Sequence, residues 1–185
     1  MPDARDAADD EEALPRYGNR PLPAQRHLPG RTPRPRATEP VPRSAALRFD
    51  AALWWTSCDF LHGIDLWNRR FFWEAHEAWE EPWRAAGRNT PVGRVLQGLI
   101  LLAAGALKHE LGADGPARRL ASRGARLVRE ARAPQPGFDA PAFAAAVEAW
   151  VSAARSTPPL LRLDATRGGV SGADDARGPG VSGGR

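Results

Sequence analysis

Apolar residues recur at helical spacing through the middle of the chain, and no segment alternates apolar and polar residues as a strand does. The pattern predicts five helices. Their connections are short, which favours antiparallel neighbours. The sequence therefore predicts an all-α fold, a single bundle of about five helices with approximate bounds 57–67, 70–85, 92–111, 115–132 and a fifth beginning near Asp139.

The third predicted helix is apolar nearly all round, which is typical of the central helix of a bundle. Gly98, Leu102, Gly105 and His109 share one of its stripes, and the small residues would let a neighbouring helix approach closely. The longest apolar run, 99–107, is well short of the roughly 20 residues needed to span a bilayer. We expect a buried rod and no membrane partner.

The fourth predicted helix is arginine-rich on its outer side. We expect it to bury Leu120 and Leu127 and to expose Arg119, Arg123 and Arg126. A solvated face is the favoured interpretation of these arginines, and an anion or RNA patch is the other.

Composition changes at both ends of the chain. Residues 1–44 are acidic first and then rich in proline and arginine, as in 29–35, which is typical of a disordered head or an extended arm. Residues 161–185 are rich in glycine and predict a flexible tail. The bundle domain is expected at 45–160.

Charge and cysteine content narrow the class of partner and compartment. The net charge of +4 is spread along the chain, so no segment is basic enough to favour nucleic acid as a partner. Cys58 is the single cysteine, which excludes an intrachain disulfide and fits a reducing compartment; we expect it to be buried. The first residues do not resemble a signal peptide. A cytoplasmic location is expected.

The second predicted helix, 70–85, carries the residues most suited to chemistry. At about 100° per residue, His76 falls on the same stripe as Trp79, so a titratable ring would point into the bundle from an apolar face. Glu80 is the i+4 neighbour of His76, and Glu77 lies beside Glu80. This cluster is the candidate site.

Antiparallel pairing suggests which residues face His76 from other helices. Gln97 is the nearest polar residue at its level on the third helix, and Asp65 is the candidate on the first helix. His109 would lie roughly 13 Å further along the axis and is not expected to join the site. We therefore predict Gln97 and Asp65 as a supporting polar network.

One interpretation of the cluster is a metal site. His76 and Glu80 would be ligands of a divalent ion of unknown identity, and Glu77 would be a ligand or the catalytic base of a hydrolytic reaction. Bundles build such sites, commonly from motifs on two or more helices, whereas here only one helix carries the motif. Glu80 stands where the His-Glu-x-x-His zinc motif requires histidine, which excludes that class.

The other interpretation is structural. His76 would be a buried imidazole hydrogen-bonded to Glu80 and Gln97, locking the second helix against the third. The protein would then be a non-catalytic bundle that binds a small molecule or a protein, or associates with itself as a homo-oligomer.

The chain also resembles a known family. Gly63-Ile-Asp-Leu-Trp-Asn68, Phe72-Trp-Glu-Ala-His-Glu-Ala-Trp-Glu80 with Trp83, and Gln97-Gly-Leu-Ile100 are similar to the domain of unknown function 309 (DUF309) family of small bacterial helical proteins, over roughly 57–132. The resemblance implies an all-α fold and, because its members are described as predicted metal-dependent hydrolases, a metal-dependent activity at His76, Glu77 and Glu80, with Trp83, Gln97 and Gly98 also matching.

Two departures from the family pattern bear on the structure. The turn after Asn68 often carries glycine in similar sequences, whereas this chain has Arg69 and Arg70. A non-glycine residue held at positive φ there would cost on the order of 1 kcal/mol. Arg34 stands where some relatives have a histidine in the proline-rich arm.

Overall fold

Five α-helices follow one another with short connections, and no strand occurs among the residues that the structure, a computed structural model, describes: 14–33, 50–133, 137–153 and 157–164. This confirms the predicted all-α bundle. A 3-10 turn at Trp54–Thr56 precedes the helices. They are α1 (Cys58–Asn68), α2 (Phe72–Ala86), α3 (Pro91–Glu110), α4 (Asp114–Glu130) and α5 (Ala140–Ala153).

Side-chain caps fix the starts of two helices. The Ser57 hydroxyl accepts a hydrogen bond from the Phe60 N–H at the start of α1, as its sequence position predicts. Thr90 does the same for the Gly93 N–H, and Pro91 takes the first position of α3, where a missing N–H has no consequence.

The turn between α1 and α2 holds a non-glycine residue in the left-handed region. α1 ends at Asn68, and Arg70 has a φ of 64°. The expected cost is about 1–2 kcal/mol. The Arg70 guanidinium pairs at 2.9 Å with Glu110 at the end of α3, so this turn is held against the bundle.

α3 is the central helix and packs against α2, α4 and α5. A Cβ on Gly98 would lie 2.9 Å from the Gly124 carbonyl oxygen, and one on Gly105 would lie 3.1 Å from that of Ala117. The small residues therefore allow α3 and α4 to approach closely, as predicted. By length and composition α3 could cross a membrane, but 67% of its most apolar stretch is buried inside the protein, as in a core helix.

Two expectations about burial differ from the structure. α4 buries small residues and Val128 where it meets α3, and Leu120 and Leu127 are only half-buried, because the close approach leaves no room for leucine. Cys58 is exposed in the first turn of α1.

Two segments outside the helices lie against the bundle. Residues 14–33, part of the predicted arm, run over α1 and the start of α2. Residues 157–164 return to α1, where the Asn68 side chain hydrogen-bonds both the N–H and the C=O of Leu161, at 2.8 and 2.9 Å. The rest of the predicted head and tail, 1–13, 34–44 and 165–185, lies outside the described residues.

Candidate metal centre

α2 presents one mixed face beside its buried face. Phe72 and Trp79 are buried, and Trp79 donates a hydrogen bond from Nε1 to the Phe60 carbonyl of α1 at 3.2 Å. The candidate residues of the neighbouring face span about 100° around the helix. They are Trp73, His76, Glu77, Glu80 and Arg84.

His76 lies at the edge of the apolar face rather than inside it, with 27% of its side chain exposed. Its Nδ1 is 3.5 Å from Glu77 Oε1, and its Nε2 is 3.9 Å from Glu80 Oε1. Nδ1 is buried and has no hydrogen-bond partner among the described residues, so Nε2 is the nitrogen on the solvent side. The expectation that the ring points into the bundle is thus only half right.

Glu80 is already paired with a cation. The Arg84 guanidinium, one turn further along α2, bridges Glu80 and Glu81, and its distance to Glu81 is 3.1 Å. Glu80 is 24% exposed, whereas Glu77 is 45% exposed. Any ion that uses Glu80 therefore competes with Arg84.

The donor set fits a divalent metal ion. His76, Glu77 and Glu80 each offer one ligand atom, and these atoms lie within 4.8 Å of one another. Two ligands of one ion at 2.0–2.2 Å are at most about 4.4 Å apart. Small rotations of the two partly exposed carboxylates would close that difference. One imidazole and two carboxylates suit Zn²⁺, Mn²⁺ or a similar ion.

The two predicted supporting residues do not join this group. Gln97 is half-buried on α3 and forms no hydrogen bond with His76 in the described part of the chain. The antiparallel estimate gives the level of a residue but not the direction of its side chain. Asp65 is fully buried, and its carboxylate accepts the backbone N–H groups of Tyr17 and Gly18 in the arm.

His109 also lies apart from the cluster, as expected. Its ring contacts Trp150 edge-on at 4.8 Å, and its Nδ1 is 3.7 Å from Asp114.

Sequence reasoning missed a polar contact between the arm and α2. The His27 N–H donates to Glu74 Oε1 at 2.7 Å, and the His27 ring stands edge-on to Trp73 with centroids 4.8 Å apart. Burial, more than any other influence, raises the pKa of Glu74, and the hydrogen bond from His27 opposes that rise. The arm has no hydrophobic periodicity, so its sequence carries no signal for this contact.

Comparison with known proteins agrees with the motif resemblance. No curated protein matches the chain. One family model matches a segment that covers roughly a third of the chain and runs from α1 into α4. This segment includes every candidate site residue. Residues 60–120 match the model of the family described as Domain of unknown function (DUF309).

Proposed function

We propose that the protein binds one divalent metal ion through the face of α2 that carries His76, Glu77 and Glu80. The supporting observation is the convergence of one imidazole and two carboxylates, with donor atoms within 4.8 Å of one another. Arg84 neutralises part of the charge on Glu80, and a second positive charge between Glu80 and Glu77 would stabilise two carboxylates held so close together. A metal ion would supply that charge.

Each residue of the cluster has a different role in this proposal. His76 Nε2 and the Glu80 carboxylate bind the ion, because both lie on the solvent side of the ring. Glu77 Oε1 lies 3.5 Å from Nδ1, and a small rotation of this exposed carboxylate would let it accept a hydrogen bond from Nδ1–H when the ion binds, which would fix the tautomer and leave Nε2 free as a ligand. A ligating histidine usually has such a carboxylate or carbonyl on its other nitrogen.

The proposed activity is metal-dependent hydrolysis. A divalent ion with open coordination positions lowers the pKa of a bound water toward neutrality, so it can generate a nucleophile. The motif resemblance at His76, Glu77 and Glu80, which implies a metal-dependent activity, is the reason for choosing this reaction class. Glu77 as catalytic base stays a prediction; it requires the carboxylate to turn from Nδ1 toward the solvent side.

Calorimetric titration of the full chain with ZnCl₂ and MnCl₂ tests the metal site. We expect one ion per chain, and a loss of affinity of tenfold or more in His76→Ala and Glu80→Gln. Glu81→Gln is the matched control, since Glu81 also pairs with Arg84 but is not in the cluster. Absence of stoichiometric binding in the unmodified chain, or equal binding by His76→Ala, would remove the proposal.

Hydrolysis is tested separately on the metal-loaded chain. We expect slow cleavage of bis(p-nitrophenyl) phosphate or p-nitrophenyl acetate that disappears in His76→Ala. Metal binding without any such cleavage would restrict the function to ion binding.

The structural alternative, a polar lock of His76, Glu80 and Gln97, has less support. His76 and Glu80 are partly exposed, and Gln97 makes no hydrogen bond to His76 within the described residues. The lock predicts that His76→Ala lowers the melting temperature of metal-free protein, whereas the metal site predicts a lower melting temperature only when metal is present.

A cytoplasmic location is part of the proposal. Cys58 is free and exposed, and such thiols persist in reducing compartments.

A further inference from the structure

The arm, residues 14–33, is attached to the bundle through acidic side chains. In its first half, Arg20 and the Tyr17 N–H donate hydrogen bonds to Asp59 and Asp65 of α1. In its second half, the His27 N–H donates to Glu74 of α2, and the Arg26 guanidinium donates to Glu110 of α3. The arm also packs Tyr17, Leu22 and Leu28 against the hydrophobic core, so the attachment combines polar and apolar contacts.

Asp65 is the central anchor of the first half. Its carboxylate is fully buried and accepts the Tyr17 N–H at 2.8 Å, the Gly18 N–H at 2.9 Å and the Arg16 Nε–H at 3.2 Å. A Cβ on Gly18 would lie 3.4 Å from the backbone nitrogen of His62. The arm thus lies directly on the backbone of His62.

His62 is surrounded by charge where the arm covers it. The arm contributes Arg16 and Arg20, and α1 contributes Asp59 and Asp65. Both carboxylates are already occupied, because Arg20 pairs with Asp59 and three donors point at Asp65. His62 Nδ1 is buried and has no hydrogen-bond partner in the ranges described. A proton on this ring would therefore lie near two cations, and both nearby carboxylates already have other partners.

We propose that the arm is a strap over α1 and the start of α2 and that protonation of His62 releases its first half. A charged imidazole would repel Arg16 and Arg20 and would leave Nδ1–H buried without an acceptor. The repulsion and the unsatisfied N–H group both destabilise the docked arm. Release moves the two arginines away and lets water reach the ring.

The direction of the titration agrees with the geometry. Burial first, and then the Arg20 charge, lowers the pKa of His62 below 6.5, while Asp65 opposes this. With the arm released, the pKa returns toward 6.5. The released state then binds the proton more readily, so docking weakens as the pH falls below about 6.5 and is fully favoured above it.

The strap lies next to the candidate metal centre. His27 at its far end stands on Trp73, which shares the α2 face of His76 and Glu80. The strap and the metal site use different titrating residues, so either proposal can be refuted without refuting the other.

Hydrogen–deuterium exchange of the full, metal-free chain at pH 7.5 and pH 5.5 tests the strap. Protection factors, which correct for intrinsic exchange, are compared for peptides covering 16–20 and for α3 as the internal reference. We expect the protection of 16–20 to fall roughly three- to tenfold at the lower pH, as repulsion from two partly exposed cations would give. The protection of α3 should not change.

Variants assign the effect to His62. His62→Gln should remove the pH dependence of arm protection. His109→Gln, at another histidine whose buried Nδ1 makes no hydrogen bond within the described residues, should leave it. Arg20→Gln, on the partly exposed arm, should reduce the pH-dependent change without affecting the helices. Unchanged protection of 16–20 between the two pH values, or the same fall in His62→Gln or in Arg20→Gln, would overturn the proposal.

Discussion

Gly63 sets the distance between α1 and the helix that carries the candidate site. A Cβ at this position would lie 2.1 Å from Nε1 of Trp79 and 2.4 Å from its Cδ1. The Trp79 ring is fully buried and donates its only hydrogen bond to the Phe60 carbonyl. Gly63→Ala therefore forces the indole of α2 away from α1.

The size of the effect follows from three terms. Overpacking a tight core costs about 1–3 kcal/mol, and loss of a buried hydrogen bond costs about 1–3 kcal/mol. Alanine gains about 1 kcal/mol over glycine in a helix. We expect the free energy of unfolding to fall by about 3 kcal/mol, which lowers the melting temperature by about 6–12 °C in a chain of this size.

Urea and thermal unfolding, followed by circular dichroism and tryptophan fluorescence, measure this change. Gly115→Ala is the matched control, because its Cβ would meet only the Arg119 guanidinium at 3.5 Å. The control should be unchanged or up to about 1 kcal/mol more stable. If Gly63→Ala is as stable as the control, the α1–α2 contact described above is wrong.

Three further outcomes are expected. Arg84→Gln should raise zinc affinity about twofold, the worth of an exposed i,i+4 pair, because Glu80 loses its competing cation; lower affinity on titration would contradict this. Glu77→Ala should lower zinc affinity about 10–100-fold by freeing the ring of His76, with partial recovery in Glu77→Gln, and full affinity in the alanine variant would exclude the orienting role. Asn68→Ala leaves the Leu161 N–H and C=O unsatisfied and should cost about 2–4 kcal/mol in urea unfolding; a change below 1 kcal/mol would show that water replaces the side chain.

The helical core was predictable because its periodicity is strong. α3 is apolar on most sides, and only the centre of a bundle buries such a helix. Ser57 and Thr90–Pro91 mark helix starts through local hydrogen bonds that depend little on the rest of the fold. The stripe of Gly98 and Gly105 likewise indicated a close helix contact before its partner was known.

Features that depend on tertiary contacts were not predictable in the same way. The leucines of α4 have the higher hydrophobicity, but the close approach of α3 selects small residues such as Ala121 and Gly124 for burial. The arm shows no hydrophobic periodicity, and part of its attachment depends on backbone N–H groups, which every residue except proline has. Asp65 was recognised as a polar residue in the bundle, but its partner was in the arm.

The candidate site was predictable to the extent that a single helix builds it. His76, Glu77 and Glu80 are neighbours through helix geometry alone. Whether Gln97 joins the site depends on the direction of its side chain on a second helix. Residue spacing does not determine that direction.

Nitrogen NMR of the imidazoles during a zinc titration tests the central claim most directly. It reports the protonation and coordination of each ring nitrogen of His76 separately. We predict that Nε2 of His76 shifts on zinc binding while Nδ1 stays protonated toward Glu77, and that the rings of His27, His62 and His109 do not change. Unchanged His76 resonances at saturating zinc, or coordination through Nδ1, would contradict the proposed site.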